Sequence, residues 1–119
     1  MQPPTQEQKL AFLRRAANLP GSAARIEVIE THFAWIFLGS GHAYKLRKPL
    51  RHGHMDYRSL TRRRRGCRTE VELGRRLAPG VYDGVVPLTV SRSGRLKLGT
   101  GGRIIDYLVK MRRLPAASM

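Results

Sequence analysis

The residue best suited to bind a phosphate is Lys45, which lies two positions after Ala43 in the segment His42 to Arg47. That segment is typical of a β-strand, and residues two apart project from the same face of a strand. A small alanine lets a flat ring approach, and the lysine ammonium beside it acts as a point charge for phosphate oxygens. The same pattern also fits a solvent-exposed strand lysine, so both interpretations stay open at this point.

The histidines and the cysteine are weaker candidates for chemistry. His52 and His54 flank a glycine and His42 precedes them, but no cysteine pair or second cluster accompanies them. Metal sites of this type need more ligands at close spacing. We therefore expect no metal site. We expect Cys67, the single cysteine, to fill the core rather than to act as a nucleophile.

The chain is strongly basic throughout. Its 119 residues include 23 lysines and arginines against 8 acidic residues, for a formal net charge of +15. Such a charge suits a nucleic-acid partner, and the run Arg62 to Arg65 offers a patch for phosphate contacts. Because the basic residues are spread along the chain, and because such runs are more often solvated faces, a small basic nucleic-acid-binding module is the alternative function and not the favoured one.

No segment of the sequence resembles a membrane span or an export signal. The longest apolar run, Phe33 to Leu38, is far shorter than the roughly 20 residues that a bilayer needs. The first residues contain neither a basic start nor an apolar signal region. Together with the single cysteine, these features predict a cytoplasmic protein without a membrane partner.

The first half of the chain predicts a helix followed by three strands. Thr5 caps the helix, with Gln8 as the capping-box partner, and Pro20-Gly21 ends it. Alternating and β-branched residues predict strands at 25–30, 33–38 and 42–47, the last two joined by a glycine-containing hairpin turn. Residues 50–57 are predicted to be a loop.

The second half predicts one long helix and a return to strands. Ser59 to Leu77 is helical by its apolar stripe, which includes Cys67 and Val71. Strands are predicted at 85–91, 95–98 and 104–111. The expected fold class is α+β, a five-stranded antiparallel sheet with one crossing helix plus an N-terminal helix. This is also the layout of the small lobe of protein kinases and their relatives.

Several separated motifs occur in order along the chain. They are Ile-Glu-Thr-His-Phe-Ala-Trp-Ile-Phe-Leu at 29–38, Ala-Tyr-Lys-Leu-Arg-Lys-Pro at 43–49, Met-Asp-Tyr at 55–57, Glu-Val-Glu-Leu-Gly-Arg-Arg-Leu-Ala-Pro at 70–79, Tyr82 with Val-Val-Pro at 85–87, and Asp-Tyr-Leu-Val-Lys-Met-Arg-Arg-Leu-Pro at 106–115. With these motifs, nearly the whole chain resembles the N-terminal part of the bacterial bifunctional aminoglycoside phosphotransferase-like/ATP-binding proteins. The resemblance implies a kinase-like fold that holds ATP between a small β-rich lobe and a larger helical lobe.

The resemblance also implies roles for individual residues. Lys45 would bind the phosphates of ATP, and Glu70 on the facing helix would hold Lys45, as the lysine–glutamate pair of protein kinases does. Glu72 lies about 200° further round the helix and should face outward, so Glu70 is preferred. Ala43 would contact adenine, and Met111 would fall in the hinge between the lobes, where backbone groups meet the base.

The segment between the first two strands departs from the kinase pattern. Kinases often cover the phosphates there with Gly-x-Gly-x-x-Gly, whereas this chain has Glu-Thr-His-Phe-Ala-Trp at 30–35. Thr31 and His32 would instead offer a hydroxyl, a ring nitrogen and backbone N–H groups to the nucleotide.

The residues for phosphoryl transfer itself are not expected in this chain. The orienting aspartate and the magnesium ligands come from the large lobe, and the pattern His-x-Asp with a later asparagine is absent from the sequence. We therefore expect residues 1–119 to form a single kinase-like small lobe, an incomplete domain that is inactive alone. ATP and magnesium would be the cofactors of a complete protein, and a separate chain is one source of the large lobe.

Overall fold

One antiparallel sheet carries Lys45 and organises the rest of the chain. A computed structural model describes residues 2–21 and 25–113. Leu114-Pro115 of the last motif therefore lies outside the described residues. In chain order the elements are α1 (Gln6–Leu13), a 3₁₀ turn (Ala16–Asn18), β1 (Glu27–Glu30), β2 (Ala34–Leu38), β3 (His42–Arg47), β4 (Arg51–His52), β5 (Met55–Asp56), α2 (Leu60–Leu77), β6 (Tyr82–Val90), β7 (Leu96–Leu98) and β8 (Arg103–Arg112). The main sheet has the spatial order β1-β2-β3-β8-β6-β7 among the described strands.

The predicted α+β class is confirmed, but the predicted count of five strands is wrong. The described sheet has six strands, because β7 pairs with β6 in the register Leu88↔Leu98 to Val90↔Leu96 and extends the sheet at its edge. The predicted loop at 50–57 is also wrong, since β4 and β5 form a separate two-stranded hairpin there. Gly53 turns this hairpin with a φ of 60°, a conformation that costs glycine little.

The N-terminal helix α1 covers one face of the sheet. Its capping box is confirmed, since Gln8 N donates to Thr5 Oγ1 at 3.1 Å and Thr5 N donates to Gln8 Oε1 at 2.8 Å. Leu13 of α1 and Leu19 beyond it are fully buried against a core contributed by the strands. That core contains Phe37, Tyr44, Leu46, Leu88 and Leu108.

The long helix α2 covers the opposite face. Its N-cap is Ser59, whose hydroxyl accepts from Arg62 N at 3.2 Å. Cys67 and Val71 pack on Val109 of β8, the neighbour of Leu108 that points to the other face of the strand. The sheet is therefore packed between α1 and α2. No helix within the described ranges is long and apolar enough to cross a bilayer.

A buried ionic cluster links α1, β8 and α2. Asp106 of β8 accepts from Lys9 Nζ of α1 at 3.1 Å and from Arg63 Nε of α2 at 3.0 Å. We call these three residues the Asp106 cluster. All three are buried, and such a charge is tolerated inside a protein only when it is paired and hydrogen-bonded.

Candidate functional site

Lys45 and Glu70 meet between the sheet and the crossing helix. The Lys45 ammonium lies 3.2 Å from Oε1 and 3.4 Å from Oε2 of Glu70. The two side chains are 28% and 17% exposed, so the pair is partly open to solvent. Glu72 is exposed and makes no ion pair with any residue that the structure describes. The expected choice of Glu70 over Glu72 as the partner of Lys45 agrees with this geometry.

A second cation shares the Glu70 carboxylate. Arg47 lies two residues beyond Lys45 on β3, and its Nη2 donates to Glu70 Oε1 at 2.7 Å. Its Nη1 lies 3.5 Å from Cys67 Sγ, and its guanidinium lies over the ring of Tyr57 at 5.2 Å. We call Glu70, Lys45 and Arg47 the Glu70 cluster. Arg63, which lies on the same helix as Glu70, pairs with Asp106 instead.

Tyr82 of β6 lies beside the Glu70 carboxylate. Burial raises the pKa of Tyr82, and the charge of Glu70 and a hydrogen bond to it raise the pKa further. The ring of Tyr82 lies so close to α2 that a Cβ at Gly74 would overlap it. The glycine inside the helix, which costs about 1 kcal/mol relative to alanine, is therefore required for this packing.

An open groove lies along α2 beside Glu70. It has a volume of about 550 Å³ and is bounded by α2, the β4–β5 hairpin and Tyr82. Leu73 and Leu77 form an apolar wall and are 52% and 85% exposed. Glu70 borders this groove while it also contacts Lys45, which does not line the groove.

The predicted adenine contacts lie at one end of β3. Ala43 and Met111 are directly paired across β3 and β8, and Met111 also pairs with Tyr82 of β6. Lys45 is two residues further along β3 and therefore shares the face of Ala43. The structure thus brings Ala43, Met111 and Lys45 onto one surface of the sheet.

The two residues predicted to cover the phosphates lie near the other end of β3. Thr31 and His32 belong to the turn between β1 and β2, which is tied to the end of β3 by a bond from Lys48 N to Phe33 O of 2.7 Å. The Thr31 hydroxyl is engaged within the turn, where it accepts from Ala34 N at 3.0 Å. The His32 ring packs edge-on against Phe33 and His52, with centroid distances of 4.7 and 5.5 Å. The phosphate-binding roles of both residues stay predictions.

The remaining chemistry-bearing side chains lie apart from one another. His42 pairs with Asp83 at 3.2 Å, while His52 belongs to the β4–β5 hairpin. Within the described ranges, no three His, Cys, Asp or Glu side chains lie close enough to hold a metal ion. Cys67 is completely buried, and burial raises the pKa of its thiol, which suits the core position expected for it.

Sequence reasoning missed Arg47, Tyr82 and the Asp106 cluster. The alternation of a strand could have predicted the position of Arg47, because a residue two places from Lys45 lies on the same face of the strand. Tyr82 and Asp106 had no local signal. Their partners lie in other elements that only the folded sheet brings near.

Comparison with known proteins identifies relatives that match part of the chain, but it identifies no family. No protein-family profile and no solved structure matches the chain. Among curated proteins, the chain is 38% identical over 69 residues to the uncharacterized proteins Mb2027c of Mycobacterium bovis and Rv2004c of Mycobacterium tuberculosis. The match covers 58% of this chain, and the chain spans only 14% of the length of these relatives.

Proposed function

We propose that this chain is the nucleotide-binding half of an aminoglycoside phosphotransferase-like kinase, acting in the cytoplasm and inactive without a second lobe. The observation that carries the proposal is the contact between Lys45 and Glu70. A carboxylate on a helix that holds a strand lysine near an open surface is the arrangement that protein kinases use for the phosphates of ATP.

The order of the strands and helices supports the proposal that this chain is a kinase-like small lobe. Strands β1, β2 and β3 come first, α2 crosses one face, and β6 and β8 complete a five-stranded core. In this interpretation β7 is an addition at the edge of the sheet, and α1 covers the face away from the nucleotide.

The arrangement of side chains along β3 supports a direction for the bound nucleotide. Adenine would lie on Ala43 and Met111, and the phosphates would pass Lys45 toward the turn that holds His32. From Ala43 to Arg47 the strand advances roughly 13 Å, at about 3.3 Å per residue. Of the two cover residues, His32 is the better ligand candidate, since the Thr31 hydroxyl already bonds within its turn.

The described residues fit ATP better than they fit magnesium. Lys45 supplies a partly exposed ammonium for phosphate oxygens. By contrast, the described part of the chain offers no group of three metal ligands. We therefore derive no transfer step for this chain, and its proposed function is binding.

A titration with ATP tests the proposal directly. Replacement of Lys45 by alanine should weaken ATP binding about tenfold or more, because a hydrogen bond to a charged group is worth roughly 1.5–3 kcal/mol. Lys97→Ala is the matched control, since Lys97 is an exposed lysine on β7 at the far edge of the sheet. Calorimetry or NMR at moderate salt would measure both variants. Equal binding by the wild type and Lys45→Ala would defeat the proposal.

A nucleic-acid-binding module remains the second candidate because of the outer face of α2. Arg65, Arg68 and Arg76 are exposed there and make no ion pair with any described residue. If each neutralises one phosphate, raising the salt from about 50 to about 200 mM should weaken binding about 40-fold. Replacing all three arginines by glutamine should abolish such binding while Lys45→Ala leaves it unchanged. The opposite pattern would favour the nucleotide site.

A further inference from the structure

The Glu70 carboxylate is held more closely by Arg47 than by Lys45. The bond from Arg47 Nη2 to Oε1 is 2.7 Å, whereas Lys45 Nζ lies at 3.2 and 3.4 Å from the two oxygens. Hydrogen bonds between an arginine and a carboxylate are strongest at about 2.7–2.9 Å. The geometry therefore ranks Arg47 as the principal partner of Glu70.

Arg47 is fixed by contacts that do not involve Lys45. Its Nη1 lies against Cys67 Sγ at 3.5 Å, and its guanidinium covers the ring of Tyr57 at 5.2 Å. Its side chain is only 9% exposed, compared with 28% for Lys45. A planar group already held by these two contacts has little freedom left to lose when it binds a carboxylate.

Lys45, in contrast, has few contacts besides Glu70. The ammonium has three N–H donors, and Glu70 is the one side chain among the described residues to which it donates. If Lys45 were the single partner of Glu70, its movement to a ligand would leave a largely buried carboxylate without a cation, which costs free energy.

We propose that Arg47 is a positioning residue that keeps Glu70 in place. Lys45 can then turn to the phosphates of a nucleotide while the Glu70 carboxylate keeps a cationic partner. The ligand in this inference rests on the proposed function. The division of roles within the Glu70 cluster can be tested without any ligand. Arg47 acts through Glu70 and Lys45 and is not itself a phosphate ligand.

Two double-mutant cycles of unfolding test the division of roles. One combines Arg47→Met with Glu70→Gln, and the other combines Lys45→Met with Glu70→Gln. The coupling in the first cycle should change the unfolding equilibrium constant about fivefold more than the coupling in the second. If Arg47→Met does not fold, Arg47→Lys replaces it, because lysine keeps the charge but loses the planar fork. A coupling for Lys45 equal to or larger than that for Arg47 would overturn the inference.

A third cycle separates positioning from a merely structural role. Arg47→Met should weaken ATP binding about fivefold when Lys45 is present and less than about twofold in the Lys45→Ala background. Arg47→Lys should recover part of the affinity. Arg92→Met is the matched control for loss of one charge, since Arg92 is exposed in the turn between β6 and β7, and it should leave the affinity unchanged. Equal losses in both backgrounds would show a general effect on the fold and refute the role.

The failures of the two proposals appear in different measurements. Wild-type protein that binds ATP no better than Lys45→Ala would overturn the proposed function. The unfolding cycles contain no nucleotide, so they decide by themselves whether Arg47 or Lys45 is the main partner of Glu70.

Discussion

Among the described residues, two ionic clusters each combine one carboxylate, one lysine and one arginine, and they differ greatly in exposure. Each has one carboxylate between two cations, and each lies where α2 meets the sheet. The Asp106 carboxylate is 1% exposed and the Glu70 carboxylate 17%. The first cluster is closed, and the second borders an open groove.

The closed cluster contains several hydrogen bonds besides its two ion pairs. Asp106 accepts from both cations and also from the backbone N of Tyr107 at 2.9 Å. Arg63 donates further to the carbonyls of Tyr57 and Arg58 at 3.0 and 3.1 Å. Because all three side chains are buried, this cluster is closed to a ligand and suited to joining α1, β8 and α2.

The open cluster keeps one cation available. Arg47 is buried with Glu70, while Lys45 is the most exposed of the three side chains. Identical chemistry therefore serves stability in one place and is compatible with ligand binding in the other. The difference lies in solvent access and not in residue type.

The largest effect should come from breaking the closed cluster. Asp106→Asn leaves two buried cations without a carboxylate, and we expect a loss of about 3–5 kcal/mol in the free energy of unfolding. Chemical denaturation followed by circular dichroism measures this. Asp83→Asn is the control, since its pair with His42 is exposed and worth under about 1 kcal/mol. A loss for Asp106→Asn that is no larger than for the control would contradict the closed-cluster interpretation.

Breaking the open cluster should cost less. Glu70→Gln removes the charge shared by Lys45 and Arg47, but solvent reaches Lys45 and partly replaces the lost interaction. We expect a loss of about 1–3 kcal/mol, measured in the same denaturation experiment. If Glu70→Gln destabilises the protein as much as Asp106→Asn does, then the two clusters do not differ in the way their exposure indicates.

A smaller effect on the free energy of unfolding should follow from adding a methyl group at Gly74, next to the Tyr82 ring. In an ordinary helix Gly→Ala stabilises by about 1 kcal/mol. At Gly74 the added methyl would overlap the Tyr82 ring, so Gly74→Ala should instead destabilise by about 1–2 kcal/mol. In a Tyr82→Ala background the same change should become neutral or stabilising. Destabilisation of equal size in both backgrounds would mean that the ring is not the obstacle.

The smallest effect concerns the thiol that lies beneath Arg47. Burial raises the pKa of Cys67 above the ordinary thiol value of 9.0, although the charge of Arg47 acts in the opposite direction. The folded state thus favours the neutral thiol, and its stability should decline as the pH rises above that ordinary value. Wild type should lose stability more steeply than Cys67→Ala above about pH 9. Parallel curves for the two proteins would show that the thiol makes no contribution.

Much of the secondary structure was predictable because its signals are local. The capping box of Thr5 and Gln8 starts α1 as expected, although the helix ends at Leu13 and not at the predicted Pro20-Gly21. Helix α2 begins one residue after the predicted Ser59, which caps it. Strands β2 and β3 lie within one residue of their predicted bounds, since β-branched and aromatic residues flank a glycine turn. Such patterns act over a few neighbouring residues and need no knowledge of the rest of the chain.

The departures lie where distant segments decide the outcome. Residues 50–57 carry too few strand-forming residues to predict β4 and β5, and the pairing of β7 with β6 depends on an edge that exists only after the sheet forms. Nothing near Asp106 in the sequence indicates that Lys9 and Arg63 will bind it.

The candidate site divides in the same way. Strand and helix patterns, with the family resemblance, were enough to select Lys45 and Glu70 and to predict that their side chains face each other. Folding added Arg47 as a second partner for Glu70, placed Tyr82 beside Glu70 and left Lys45 the most exposed of the three charged side chains. Periodicity determines which face a side chain occupies. Which charges share that face, and how much water reaches them, depends on contacts between residues far apart in the chain, and those exist only in the packed protein.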